Sequence, residues 1–436
     1  MKYEKYKDSG VEWIGEVPEH WEVMKLKYVA NFYTGDSLND EEKKIYVDCN
    51  ITESLPYIGT KDVERDVNYI NYNSGYCIPK NELDSFSIAP KGATLICIEG
   101  GSAGKKIGFV EQDVCFVNKL CCAKSFFEKS NKFLYFYFNS SLFTNQFNLF
   151  LQGLIGGVSI NRIKCMNLLF PPLPEQQAIA NYLDAKCAKI NGSIDVQKRK
   201  IELLNELKQT IITDAVTKGL NPNAPMKNSG VEWIGEVPEH WEMRKIKHIG
   251  VAENGLTYKP TDICAEEEGV LVLRSSNIQN GKLTFDDNVY VNTAPISLKV
   301  KKGDIIICSR NGSASLVGKS AIVENDINAT FGAFMMRFRS KHNYKYINYL
   351  LTATIRHYKE LFTTTTINQL TIGIINSIAM PFIIDMKEQQ TIVNYLETET
   401  SKIDAQIAKA NRRIELLNEL KQSIITEAVT GKIKVC

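Results

Sequence analysis

Fourteen residues, Ser9–Glu22 (SGVEWIGEVPEHWE), recur without a change at Ser229–Glu242. A second block behaves the same way. Ile201–Gln209 (IELLNELKQ) returns as Ile414–Gln422, and both copies run on into a near-identical Ile-Ile-Thr-acid-Ala-Val-Thr tail. What lies between the blocks matches only weakly. A chain written this way folds as two copies of one module, with a shared frame and different contents. Its 436 residues also exceed what one ordinary core organises.

Composition narrows the class. A hydrophobic fraction of 44% with 23% charged residues is that of a soluble globular protein. No run approaches the ~20 apolar residues of a membrane span, so no membrane contact is expected. The N-terminal MKYEKYKDSGVEW lacks the apolar segment of a secretory signal. Eleven cysteines are irregularly spaced, with no CxxC pair, and the adjacent Cys121 and Cys122 suit neither a disulfide framework nor a zinc site. A reducing, cytoplasmic location is the expectation. The net charge of +2 conceals an uneven distribution: residues 270–345 hold eleven Lys/Arg against five Asp/Glu, and residues 55–170 twelve against nine. Residues 386–430 hold six against seven. The basic excess lies in the divergent centres, where it fits a polyanion footprint and equally an ordinary solvated surface.

Each module has three parts. The opening block places Trp13 and Trp21, or Trp233 and Trp241, around a Gly-Glu-Val-Pro turn, and Pro18 and Pro238 argue for a docked extended segment. His20 and His240 lack a nucleophile or metal-ligand spacing, which gives them a structural role. The centres, roughly 23–170 and 243–383, show short β-rich runs such as Thr94–Ile98, Lys106–Val110, Ile305–Cys308 and Lys319–Val323. Helices are expected at Asn131–Leu142 and Tyr344–Leu361. Lys91-Gly92 corresponds to Lys302-Gly303, and Gly101-Ser102-Ala103 to Gly312-Ser313-Ala314, while the offset between copies drifts from 220 to 211 and settles at 213. Insertions of this kind fall in loops, so the centres share a fold and differ in their loops.

The third part is a long helix. No proline interrupts Glu175–Thr217, and apolar residues line one stripe through Ile179, Leu183, Cys187, Ile190, Ile194, Ile201, Leu204, Ile211 and Ala215. The copy runs through Ile392, Leu396, Thr400, Ile403, Ile407, Ile414, Leu417, Ile424 and Ala428. Forty-odd residues make a rod of roughly 60 Å whose narrow stripe wants a helical partner, and the other copy supplies one. The linker Lys218–Lys227 reaches at most ~35 Å, too short to return the chain along the rod, so antiparallel packing is expected with the centres at opposite ends. The expected fold is therefore mixed α/β (α+β): two strand-rich domains, two long antiparallel coiled-coil helices and a pseudo-twofold internal repeat. Its divisions fall at 1–172, 173–218, 219–228, 229–385 and 386–431.

Two glycine loops approach a phosphate-binding pattern and miss it. Gly312–Ser320 (GSASLVGKS) has five residues between its glycines where the motif has four, and Gly100–Lys106 has three, with Lys106 in the Ser/Thr place. A phosphate cradle needs a fixed run of backbone N–H groups, and the residues after Ser320 read as strand, not helix. No HExxH, GxSxG or GxGxxG is present, and Phe170–Pro174 (FPPLP) lacks the Asn/Asp of an amino-methyltransferase tetrapeptide. Scattered acids such as Asp62, Glu64 and Asp66 form no metal-nuclease pattern, so no catalytic and no metal-binding residue is assigned.

The opening block, the helix start PPLPEQQAIANYL, the helix end IELLNELKQ…ITDAVTKGL and their second copies resemble the specificity subunit of a Type I restriction–modification system. In module two, VLVLRSSNIQNGKL and KKGDIIICSRNGSASLVGK resemble that family's target-recognition domains; in module one Tyr57–Val63 and Lys91–Lys105 take those places. The resemblance implies that each centre reads one half of a gapped, bipartite double-stranded DNA sequence. The helices would set the gap and dock two methyltransferase (modification) subunits, and restriction subunits would add translocation and cleavage. S-adenosylmethionine, ATP and magnesium would belong to those partners, leaving this chain non-catalytic.

Candidate DNA contacts are short polar and basic residues on loop tips, suited to base edges and phosphates. They are Ser309, Arg310, Asn311, Lys319, Arg274, Ser275 and Asn277 in module two, and Thr60, Lys61, Lys105, Lys106, Asn161 and Arg162 in module one. Each taken alone also fits an ordinary surface turn. Two rival classes stand beside this reading: a coiled-coil scaffold that reads no DNA, and an NTPase or nuclease using the Gly-Lys-Ser loop.

Overall fold

A computed structural model of the chain describes residues 2–11, 14–47, 53–65, 69–151, 156–358 and 368–435. Trp13, Asp66 and Leu361 lie outside the described residues. The chain divides into two compact units, Met1–Arg199 with Ala410–Cys436, and Lys200–Lys409. Each unit thus holds one divergent centre, the first half of the helix that follows it, and the last half of the other long helix.

The two centres are built alike. In the first, an antiparallel sheet runs in the order Ala30–Thr34, Leu120–Ser125, Thr94–Cys97, Ile107–Phe109. In the second the order is Gly250–Asn254, Met335–Ser340, Ile305–Cys308, Ser320–Ile322. The central apolar runs are buried on both faces because alternate side chains serve different cores. Ile96 joins the core that includes Trp21, while Leu95 and Cys97 join the one that includes Phe116. Ile305 and Ile307 divide from Ile306 and Cys308 in the same way. A second sheet in each centre contains a parallel pair, Ser54–Ile58 beside Val114–Phe116 in the middle of the first and Val270–Leu273 beside the edge strand Ala329–Phe331 in the second. The copies part company at its edges, with Ile88–Ala89 in one and Ile263–Cys264 in the other.

Two expected helices are shorter than the apolar pattern indicates. The first ends at Phe138, and a separate helix Ser141–Leu149 begins where the Ser140 hydroxyl caps the Phe143 N–H. The second spans Tyr344–His357, opened by Asn343 accepting from the N–H groups of Lys345 and Tyr346.

The long helices run Leu173–Thr217 and Met386–Val429, 45 and 44 residues. Leu183, Ile190, Ile194, Leu204, Leu396 and Ile403 are buried, whereas Ile201, Ile407, Ile414 and Leu417 are half-buried. Near the helix ends the buried residues are Ile212 and Ile425, with Ile211 and Ile424 only partly covered. A straight helix of 3.6 residues per turn drifts off a seven-residue repeat, and one longer step restores the seam. Lys208 and Lys421 occupy that step. In one unit Lys208 Nζ binds Asp404 at 2.6 Å; in the other, Lys421 Nζ donates to Asn191 at 3.0 Å. Lys421 and Asp404 are the copies of Lys208 and Asn191, so each polar pair is the other with its helices exchanged. Such reciprocity marks an antiparallel pairing of the helix halves within each unit.

The opening blocks join these parts. The strand Glu16–Pro18 pairs with Tyr6–Asp8, and Glu236–Pro238 with Met226–Asn228. Glu175, in the first turn of its helix, accepts from the Tyr3 hydroxyl and lies 2.8 Å from His20 Nε2. Glu388 lies 3.0 Å from His240 Nε2 and accepts from Trp241 Nε1 at 3.0 Å. An acid there also complements the helix dipole. The same blocks receive the ends of the opposite helices. Ile425, Ala428 and Val429 share a core with Trp21, as Ile212, Ala215 and Val216 do with Trp241. Each helix stops at a left-handed glycine, Gly431 (φ 70) against Pro18 and Trp21, Gly219 (φ 74) against Trp241. A Cβ on Gly431 would meet Pro18 Cδ at 2.5 Å, whereas one on Gly10 (φ 71) would meet nothing within 4 Å. Gly431→Ala is therefore expected to cost about 2 kcal/mol or more in denaturant unfolding, through backbone strain and overlap together. Gly10→Ala, with the strain alone, should cost roughly 1 kcal/mol.

Candidate nucleic-acid interface

Loops of each centre carry the predicted contact residues other than Asn161 and Arg162. They follow the strands Ser54–Ile58 and Val270–Leu273, and the strands Thr94–Cys97 and Ile305–Cys308. A loop leaving a sheet must find partners for its own backbone, and several of the polar residues here serve that need. Asn277 is buried: its Oδ1 accepts from the Arg274 N–H at 2.9 Å, and its Nδ2 donates to the Thr284 carbonyl at 3.0 Å. Asp62 holds the same place in module one, accepting from the Gly59 N–H at 2.9 Å. Lys319 Nζ donates to the Ser275 carbonyl and, at 3.0 Å, to that of Ile278. Its counterpart Lys106 donates to the Thr60 carbonyl at 2.8 Å. Both centres thus tie the first loop to the second strand pair with a lysine.

The structure brings Ser275, Asn311 and Lys319 together, since Asn311 Nδ2 also donates to Ser275 Oγ at 3.3 Å. Arg274 pairs with Asp287 at 2.9 Å. Ser309 is buried in the backbone ladder, between the Phe334 carbonyl and the Leu370 N–H. Arg310 stands over the exposed ring of Phe334, 5.4 Å from its centroid. In module one Lys61 reaches the Ser74 carbonyl at 3.5 Å and Lys105 is exposed. Asn161 and Arg162 open the short helix Ile160–Lys164, where Arg162 donates to the Phe150 carbonyl at 3.1 Å. Asn161 lines a cleft of about 400 Å³ with Thr34, Ile98, Glu99, Ser159 and Ile160.

Two further residues at these tips, Glu99 and Phe334, are neither basic nor small and polar. Carrying the offset of 211 between the Gly-Ser-Ala tripeptides back two residues would have set Glu99 against Arg310. The Gly-Lys-Ser loop, for its part, leads into the strand Ser320–Ile322. No helix N-terminus stands there to hold a phosphate, and the lysine is tied to the neighbouring loop. Among the described residues no cluster of His, Cys, Asp and Glu could hold a metal ion, and no helix is long and apolar enough to cross a membrane.

Two variable reading heads on one duplicated helical frame define a modular specificity protein. Residues 18–206 and 238–416 match the family described as Type I restriction modification DNA specificity domain. The chain belongs to that family and carries its domain twice. It is 24% identical over 446 residues to the MjaVIII specificity subunit of Methanocaldococcus jannaschii, covering 96% of this chain and 94% of that one. It is 27% identical over 213 residues to the EcoKI specificity subunit of Escherichia coli, covering 46% of this chain and 44% of that one. Among solved structures, a chain from work on complex assembly and conformational transition of the type I R-M system has a TM-score of 0.68. At 16% identity, over 96% of this chain and 99% of that one, it shows the shared fold.

Burial holds the Asp62 carboxyl above its ordinary range. A pKa higher in the folded state means that this group favours folding at low pH and loses that contribution as pH rises through its folded value. Asp62→Asn, which copies the neutral Asn277, should therefore raise thermal stability at pH 7. The gain should disappear near pH 3, where the parent carboxyl is protonated folded and unfolded; melting curves at the two pH values check the sign.

Proposed function

We propose that this chain is the DNA-reading, non-catalytic subunit of a Type I restriction–modification complex. Each centre reads one half of a gapped, bipartite duplex sequence, and the helix pair sets the distance between the halves. The observation that carries this reading is the exchange of side chains at equivalent tips of two otherwise matching domains. Identical frames give one docking geometry twice, and different tips give two different half-sites.

The helices also dock two methyltransferase subunits. Supporting this, Leu203 and Leu207 and their copies Leu416 and Leu420 stand about half exposed inside the repeated block. An apolar face kept identical in both copies fits one kind of partner bound twice. Restriction subunits complete the assembly, and S-adenosylmethionine, ATP and magnesium act in the partners. The location is cytoplasmic, in keeping with free thiols at Cys97, Cys115, Cys121 and Cys122, although Cys77 is disulfide-bonded.

The full chain with its methyltransferase subunits should select, from random duplexes, two specified blocks separated by unspecified base pairs. Selection of nothing, or of one continuous block, contradicts the reading and favours the scaffold alternative. ATP turnover or DNA cleavage by the purified chain alone would favour the catalytic one. Leu416→Glu should lower the number of bound methyltransferase subunits from two to one in sedimentation analysis, leaving the other site occupied.

A further inference from the structure

Around one position the two centres repeat each other bond for bond. The Cys97 thiol donates to the Glu99 carbonyl, and the Cys308 thiol to that of Arg310. The N–H groups of Ile98 and Ser309 donate to the carbonyls of Lys119 and Phe334. The carbonyls of Ile98 and Ser309 accept from the N–H groups of Val158 and Leu370. Glu99 bridges Gly157, and Arg310 pairs with Gln369. Glu99 and Arg310 are thus the same residue of one frame, with opposite charge.

Neither charge is engaged by a described residue of the protein. Among the described residues no side-chain hydrogen bond or ion pair engages the Glu99 carboxylate or the Arg310 guanidinium. Glu99 is exposed on the rim of the module-one cleft, and Arg310 lies over the face of Phe334. Resting on the function proposed above, the two side chains face the groove of the duplex. A carboxylate there is repelled by phosphates and can bind only the amino groups of base edges, which are donors. A guanidinium held over a ring is free to present its fork to the paired acceptors O6 and N7 of guanine.

We propose that this position is the specificity switch between the two centres: Arg310 reads a guanine in one half-site, and Glu99 reads a cytosine through its N4 amino group in the other. Phe334 is a positioning residue that limits where the guanidinium can go. Module one carries Lys119 in that place and needs no such support for a carboxylate.

The test is selection and sequencing of duplexes bound by the full chain with its methyltransferase subunits, for the parent and for Arg310→Gln and Glu99→Gln. A glutamine pairs with adenine N6 and N7. Arg310→Gln should therefore shift one guanine toward adenine, with about 5- to 150-fold loss of guanine preference, and leave the other half-site unchanged. Glu99→Gln should do the same to one cytosine in the opposite half-site. Glu99→Asp, which keeps the charge, should retain cytosine at that position. Phe334→Leu should weaken the guanine preference without moving it to another base, while Phe334→Tyr restores it.

The unaltered half-site reports folding and assembly within each experiment. A parent that selects no bipartite sequence defeats the functional reading itself. A parent that does, with variants that keep its base preferences or lose affinity uniformly over all sequences, overturns this inference alone. Adenine at the Glu99 position in the parent overturns the cytosine assignment.

Discussion

Everything in this molecule depends on each opening block being held between two helices that belong to different modules. The start of a module's own helix contributes a carboxylate, Glu175 or Glu388, to the histidine of the block. The end of the other module's helix contributes an apolar turn and a left-handed glycine against the tryptophan. Trp21 and Trp241 are among the largest fully buried side chains, so the contact belongs to the core. It explains why the two repeated sequences are identical while the rest has diverged. Each copy of one must fit a copy of the other, and a change in either would leave a cavity or a clash.

A fixed frame frees the loops. The antiparallel sheet keeps its strand order in both centres, the second sheet keeps its parallel pair, and the lysine tether and the Asx-type cap of the first loop recur in kind, as Lys106 and Lys319, Asp62 and Asn277. These bonds settle the backbone polar groups that loop excursions would otherwise leave unpaired. Once the loops are held by their own interior bonds, outward side chains such as Glu99 and Arg310 can change charge without a cost to folding. That separation of roles is what a protein needs if its two half-sites are to differ while its partner contacts remain the same.

Much of this was legible in the sequence, and the reasons are physical. The long helices follow from a stripe of 3- and 4-residue spacings with no proline, and their antiparallel pairing follows from a linker too short to return the chain. The shared fold of the centres follows from matched glycines and apolar runs. The break at Ser140 and the shift from Ile211 to Ile212 were not visible, because one is a capping choice and the other an accumulated drift of helical phase. At the tips, residue type alone could not separate Arg310, whose charge no described residue engages, from Lys319 and Asn277, which are engaged by backbone carbonyls and N–H groups. Both kinds of residue favour loops, and only coordinates tell which way a side chain turns. Glu99 carries the opposite charge to that of a phosphate-binding residue, so its type alone does not mark it as a contact.

Frame and reading head are separable if each centre reads its half-site by itself. Replacing residues 243–383 with the corresponding centre of another member of the family, and mapping methylated sites in cells that carry the chimera and its methyltransferase, tests this. The account predicts that one half of the recognised sequence changes to that of the donor and the other half remains. A change in both halves, or in neither, would contradict it.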